Sequence, residues 1–436
     1  MYEIIGEKMI PICIGLIAAM TVIMYIYYKK VYNVAFLFSG FWLVIVLMSS
    51  LNLYDVFISN DYVYELITLG VAFFDFGFLV SQKIRIKNVF NINEEEIDQR
   101  KYLVCVCICL IAISPDLQML LFFFENGFDI NYIYYIVAMN SYGDTDSVVT
   151  QFGTAWQQIL STYIGYPLQY LLIASGICKG LKEGNKKYIF ISLTFLIVRF
   201  LVDIKRTVLI MFFFMALFVI LLLQDRKKTN SGFFCGVHKK NIIYFFVFFG
   251  IYILISNMRS GEEENFSLLE NIYFYYAGCV KYFDLRIANI DFADNTYGLF
   301  SCRGLIAPFL GVLTKIMDVD FPIYEMATKQ LALLHGTVYQ IAPGHYYNSY
   351  ATCFWEFYVD GKEIGVAIGS LIYGLLGGVF FHSYIERRTL LSIYNLSFFI
   401  SIYLLFSMLQ ISSIINYLVW PLLFNVFMFE RKDRNG

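Results

Sequence analysis

Apolar residues run along this chain in blocks of roughly twenty, separated by short polar stretches, and one interval between blocks is far longer than the rest. A helix rising ~1.5 Å per residue needs about 20 residues to cross a hydrocarbon layer ~30 Å thick, so each block reads as a transmembrane span. The blocks lie at 9–28, 31–53, 62–80, 102–124, 156–178, 188–203, 206–224, 241–257, 364–384, 391–409 and 412–429, which predicts about eleven spans. Residues 188–224 are too long for a single crossing, and the polar stretch from Asp203 to Lys205 is where the break is expected. The long interval covers 257–363, giving a three-part layout: helices 1 to 8 over 1–256, a large loop over 257–363, and helices 9 to 11 over 364–436.

The interval has patterning of its own. Leu269, Ile272, Tyr273, Tyr276, Val280 and Phe283 recur at helical spacing and predict an aromatic-rich helix over 268–285 that suits the bilayer interface. Residues 307–317 are apolar but too short to span, which fits an interfacial or re-entrant piece. Pro322 opens a further helical stretch toward Leu334. A smaller outer segment, 125–155, carries a short amphipathic run at 130–139.

Composition narrows the class. Hydrophobic residues are 59% of the 436 positions and charged residues 15%, so the fold class is an all-α polytopic membrane protein. Of the 32 Lys and Arg, 21 fall in the loops at Lys29, Lys83–Lys101, Lys179–Lys187, Arg226–Lys240, Arg387 and the tail from Arg431. The positive-inside rule assigns those loops to the cytoplasm and the long loop to the outside. That loop holds 7 basic against 13 acidic residues, which argues against a nucleic-acid partner. The first block is read as a span and not a cleaved signal, because its basic residues follow the apolar run. Cys105, Cys107 and Cys109 alternate every second position, about 200° apart on a helix, so they share no metal-binding face and no metal or other cofactor is implied.

Candidate chemistry gathers at span ends and in the loop. Arg206 and Arg259 stand at the expected outer ends of two spans, at lipid-headgroup depth. A guanidinium binds phosphate oxygens through a fixed fork and cannot deprotonate, so the pair suits a lipid diphosphate; ordinary snorkelling is the alternative. Arg199 lies deeper, where a charge is costly, with Asp203 four residues on as an alternative ion-pair partner. Within the loop, Arg286 and Arg303 are further cations, and His335 and His345 are candidate bases near neutral pH. His345 sits in the turn-rich Pro343-Gly344-His345-Tyr346-Tyr347. Glu356 and Asp360 are competing carboxylates, and Asp360 beside Gly361 reads equally as a turn residue.

Asn348-Ser349-Tyr350-Ala351-Thr352, Tyr358-Val359-Asp360 and the glycine-bearing span ending Tyr373-Gly374-Leu375-Leu376-Gly377-Gly378 resemble the close of the large outer loop in bacterial oligosaccharide repeat unit polymerases of the O-antigen and capsule type. Thr296-Tyr297-Gly298 is similar to a segment found in the middle of that loop. The resemblance implies a GT-C-like glycosyltransferase architecture and a reaction at the outer face of the bacterial cytoplasmic membrane. A growing glycan on undecaprenyl diphosphate would be transferred to a lipid-linked repeat unit, with a flippase and a chain-length regulator as pathway partners. On that reading Arg206 and Arg259 hold the diphosphate, Arg303 or Arg286 adds charge stabilisation, and His345 is the base. Asn348 and Tyr350 are either sugar contacts or structural residues. An O-antigen ligase shares the layout, and a lipid-linked oligosaccharide flippase is the reading from a different class.

Overall fold

The computed structural model describes residues 9–83, 95–125, 127, 154–203, 206–227, 268–289, 295–317, 319, 321–347, 351–405, 407–408 and 428–431. Of these, 83% are helical. In chain order the elements are α1 (Met9–Tyr28), α2 (Val34–Ser50), α3 (Asp61–Ser81), β1 (Glu95–Ile97), α4 (Gln99–Ala112), α5 (Ser114–Glu125), α6 (Ala155–Leu160), α7 (Tyr166–Glu183), α8 (Lys186–Asp203) and α9 (Arg206–Lys227). They continue with α10 (Leu268–Ala288), α11 (Arg303–Met317), α12 (Pro322–Gly336), β2 (Tyr339–Ala342), β3 (His345–Tyr347), α13 (Thr352–Arg387), α14 (Leu390–Phe398) and β4 (Phe429–Arg431).

Among the described residues four helices are long and apolar enough to cross a membrane: α1, α3, residues 207–225 of α9, and α13. The bent pair α4 and α5 makes a fifth if it counts as one span. The chain is therefore helical with several membrane-crossing candidates. The expected blocks at 241–257 and 412–429, and the amphipathic run at 130–139, lie outside the described residues. Where the block 102–124 predicts one straight helix, the structure has two, bent by 60° at Ile113. Pro115 explains the bend: it lacks the N–H for an i→i−4 bond, and its ring disfavours helical geometry in the residue before it. The expected division of the run through 188–224 falls on residues 204 and 205, which lie outside the described residues; α8 is described to Asp203 and α9 from Arg206.

Two compact units form. In the first, α1, α2 and α3 pack together with α10 laid on α2. Side-chain caps open the helices: Asn33 accepts the Ala35 N–H at 3.0 Å and Asn60 the Tyr62 N–H at 3.2 Å. Glycines let α3 and α13 approach backbone to backbone. A Cβ on Gly374 would lie 1.9 Å from the Phe74 carbonyl oxygen, and one on Gly77 2.2 Å from that of Leu371. Gly378 would meet the Ser81 hydroxyl at 1.9 Å, so the Gly374 and Gly378 spacing serves close membrane-helix packing.

The helix α13 is two helical stretches that fold back on one another. Backbone angles break at Gly361 (φ −176°, ψ 30°) and Lys362 (φ 54°, ψ −135°). Phe357 then packs its ring on Gly369 and stands 5.0 Å from the Tyr373 ring, residues about 18 to 24 Å away along a straight helix. Residues 352–360 thus run beside the span that follows. Phe354 packs on Gly70, well inside α3, and stacks obliquely on Trp42 at 4.7 Å. The end of the expected outer loop therefore packs within the first unit, and 307–317, expected as an interfacial or re-entrant piece, is the body of α11.

In the second unit α7 packs against α8 and α14, and Gly176 and Gly180 face Ser192 and Ile189 across the α7–α8 contact. The strands β1 and β4 pair antiparallel, Ile97 opposite Phe429. Lys179 donates to the Ile97 carbonyl at 2.5 Å and lies 4.8 Å from the Tyr188 ring, fastening β1 to the helices.

Candidate functional site

The aromatic-rich helix α10 packs against α2 and β2. The Tyr273 hydroxyl donates to the Met48 carbonyl at 2.7 Å and accepts the Leu53 N–H at 2.8 Å, holding α10 to the end of α2. Burial raises the pKa of that phenol, as expected for a group held as a neutral hydrogen-bonding pin. Lys281 donates to the Ile58 carbonyl and to Asp284, both at 2.8 Å. The Phe57 N–H reaches the Ile341 carbonyl at 2.8 Å, so the β2–β3 hairpin is tied to the turn before α3.

His345 opens β3 after the Pro343–Gly344 turn, where Gly344 has φ +76°. Its ring stacks on Phe274 with centroids 3.7 Å apart, and Nε2 stands 3.9 Å from Glu270 Oε1. Both side chains are partly exposed, at 18% and 22%. An imidazole clamped on one face with its edge partly open to solvent can take up a proton from a hydroxyl brought beside it. Glu270 was legible only as one of the loop's acids; on α10 it lies one helical turn before Phe274.

Arg286 and Asp360 do different work. The guanidinium of Arg286 is buried, donates from Nη2 to the Leu333 carbonyl at 2.6 Å and from Nε to the Tyr282 hydroxyl at 3.3 Å, and lies over the Tyr282, Tyr339 and Trp355 rings. It supports the last turn of α12 as a second donor to the Leu333 carbonyl, which also accepts the Thr337 N–H at 3.0 Å. Asp360 Oδ1 accepts from the Thr296 hydroxyl at 2.6 Å and the Phe300 N–H at 2.9 Å, and Oδ2 accepts from the Ser301 N–H at 2.9 Å. Asp360 shapes the 296–301 turn ahead of α11, some sixty residues away in the chain, and not a turn of its own with Gly361. The Thr296 and Tyr297 N–H groups donate to the Val359 and Asp360 carbonyls at 3.2 and 3.1 Å, so two segments of the polymerase resemblance, more than 60 residues apart, meet here. Arg303 opens α11 and donates to the Thr328 hydroxyl at 3.5 Å.

Glu356 lies in the stretch 352–360 and is fully buried. Above it, near the Gly361 break, the Tyr62 hydroxyl donates to Glu363 in a short contact. Beside the same stretch, the Cys302 thiol has its pKa raised by burial and by the charges of Asp360 and Glu356.

In the second unit Arg199 is buried with its guanidinium carbon 3.8 Å above the Tyr166 ring. The side chains of Asp203 and Arg206 lie outside the described residues, as do Arg259, Asn348, Tyr350 and the side chain of His335. The sequence reading passed over two buried acids, Asp75 on α3 and Asp116 on α5. Both sit in the middle of apolar blocks, and the rule that singled out Arg199 would have found them. Among the described residues no group of three His, Cys, Asp or Glu side chains gathers to hold a metal ion.

No protein-family model, curated protein or solved structure matches this chain.

Proposed function

We propose that this protein is a membrane glycosyltransferase that polymerises lipid-linked oligosaccharide repeat units at the outer face of a bacterial cytoplasmic membrane. The observation that carries the reading is His345 held over α10 beside Glu270 in a loop region ordered against the first three helices. In the reaction, a hydroxyl of the lipid-linked acceptor attacks the anomeric carbon of the growing glycan. The bond from that carbon to the diphosphate oxygen breaks, undecaprenyl diphosphate leaves, and the hydroxyl proton passes to His345. Arginines, with Arg206 and Arg259 foremost, stabilise the charge on the departing diphosphate.

Deleting the gene in its own host and restoring variants tests this. Loss of the polymerase leaves single repeat units on the lipid, whereas loss of a ligase leaves finished polymer on the lipid, so the product pattern separates the two. His345→Ala should slow polymer formation by about 10²–10⁴, as removal of a general base does, with Glu270→Gln intermediate. Full polymer with His345→Ala at equal protein level would sink the assignment.

A transport reading has one observation in its favour. Asp75, buried in the middle of α3, accepts one hydrogen bond from Ser39 at 2.8 Å while its other oxygen has no partner among the described residues. Intramembrane acids of this kind serve proton relays. If the protein is a proton-coupled flippase, proteoliposomes should move a fluorescent lipid-linked oligosaccharide across the bilayer, and Asp75→Asn should stop it; no movement with the native protein rejects this alternative.

A further inference from the structure

The helix α11 turns its large apolar side chains outward. Leu305, Phe309, Leu313 and Met317 recur at every fourth position and all are exposed, Phe309 at 69% and Met317 at 61%. Its buried positions are small: Gly304, Ala307 and Gly311. Residues four apart stand above one another on a helix, so the four large side chains form one stripe with the small residues on the opposite side. An open apolar stripe of this kind marks an interaction surface.

Two further observations say what covers it. The stretch of α13 beyond Lys362 has its own exposed stripe, Ile364, Ile368, Ile372 and Leu376, on a helix long and apolar enough to cross a membrane. That stripe begins one turn after Asp360, whose Oδ2 accepts the Ser301 N–H at 2.9 Å just ahead of α11. The α11 stripe therefore starts at the same level as the lipid-facing stripe of α13. Charge agrees with a lipid surface. The helix carries Arg303 and Lys315 and no acid, within a loop that is acidic overall, a composition that fits anionic headgroups.

We propose that α11 lies along the membrane surface, with Leu305, Phe309, Leu313 and Met317 in the acyl boundary of the leaflet at the Gly361 end of α13 and anionic headgroups as the partner of its positive charge. Lipid removes from water the apolar surface that a helix in a soluble protein would turn inward. Of the two placements expected for 307–317, this is the interfacial one. It sets the height of the loop: the 296–301 turn is held by Asp360 on one side and by a lipid-seated helix on the other. This placement is independent of any reaction at His345.

The test uses the full-length protein, a single copy per nanodisc, with a bimane fluorophore on Phe309→Cys. The background carries Cys107→Ser and Cys302→Ser, the exposed cysteines among the described residues, and its own signal is subtracted. Nitroxide-labelled lipids quench a fluorophore that reaches the acyl region, and Lys329→Cys, exposed on α12, is the control in water. Quenching at 309 should exceed that at 329 by about three-fold or more, and should rise about two-fold when part of the phosphatidylcholine is replaced by phosphatidylglycerol. If Phe309→Cys does not fold, Leu313→Cys on the same stripe decides. Quenching at 309 no greater than at 329 would overturn the placement, and a bifunctional maleimide joining two copies through residue 309 would then assign the face to a second copy. Equal quenching with and without phosphatidylglycerol would overturn the anionic headgroup as partner.

Discussion

At the scale of single residues, the candidate acids of the loop separate by what their oxygens touch. Asp360 serves three donors, two of them backbone N–H groups of the turn before α11, so its removal strands buried donors. An unsatisfied buried donor costs about 1–3 kcal/mol, so Asp360→Ala should destabilise the protein by on the order of 3 kcal/mol or more. Asp360→Asn, which keeps one acceptor, should fall between. Thermal melting in detergent reads the difference, and native melting of Asp360→Ala would return Asp360 to the list of reacting groups. Sequence alone singles out His345 because a lone histidine in a Pro-Gly turn stands apart from its neighbours. A residue's role was illegible where the fold decides it: nothing in the letters distinguishes Arg286, spent on the Leu333 carbonyl and the Tyr282 hydroxyl, from an arginine facing substrate.

At the scale of elements, hydrophobic periodicity located α10, α11 and α12 within a few residues, because each has an apolar face long enough to register. It missed the fold-back at Gly361. The stretch 352–360 is short and carries Glu356 and Asp360, so a window tuned to about 20 apolar residues passes over it. Its burial comes instead from Gly70 of α3, which admits Phe354, and from Gly369 of the following stretch, which admits the Phe357 ring. Gly374→Ala should therefore be costly, about 1–3 kcal/mol by overpacking, since the new methyl meets backbone that cannot rotate aside. Gly15→Ala in α1 is the matched control, with nothing within 4 Å of the new carbon. Size-exclusion profiles and melting of the two purified variants check this, and equal behaviour would mean that α3 and α13 do not pack through Gly374.

At the scale of the whole molecule, the arrangement that matters is which side of the membrane holds the loop. Apolar side chains of α1 such as Ile12, Leu16, Ile23 and Ile26 are exposed, as lipid-facing groups are, but that face says nothing about direction. Direction rests on the basic loops, and a thiol can test it. Among the described cysteines only Cys107 and Cys302 are exposed; Cys107 lies on the apolar helix α4, and Cys302 lies in the turn shaped by Asp360. A membrane-impermeant maleimide applied to intact cells should label Cys302 and not Cys107, with the modified site read by peptide mass spectrometry. Cys302 reaches solvent on one side and is packed by protein on the other, and that partial desolvation, with Asp360 and Glu356, raises its pKa, so less of it is thiolate at neutral pH than of an ordinary cysteine. Labelling should therefore be slow at pH 7 and still climb through pH 8 to 9, by up to about ten-fold per pH unit while the thiol stays below its pKa. Labelling of Cys302 only after the membrane is permeabilised would put α11 and the His345 hairpin on the cytoplasmic side. Lipid-linked units at the outer face could not then meet His345, and the polymerase reading would fall with the orientation.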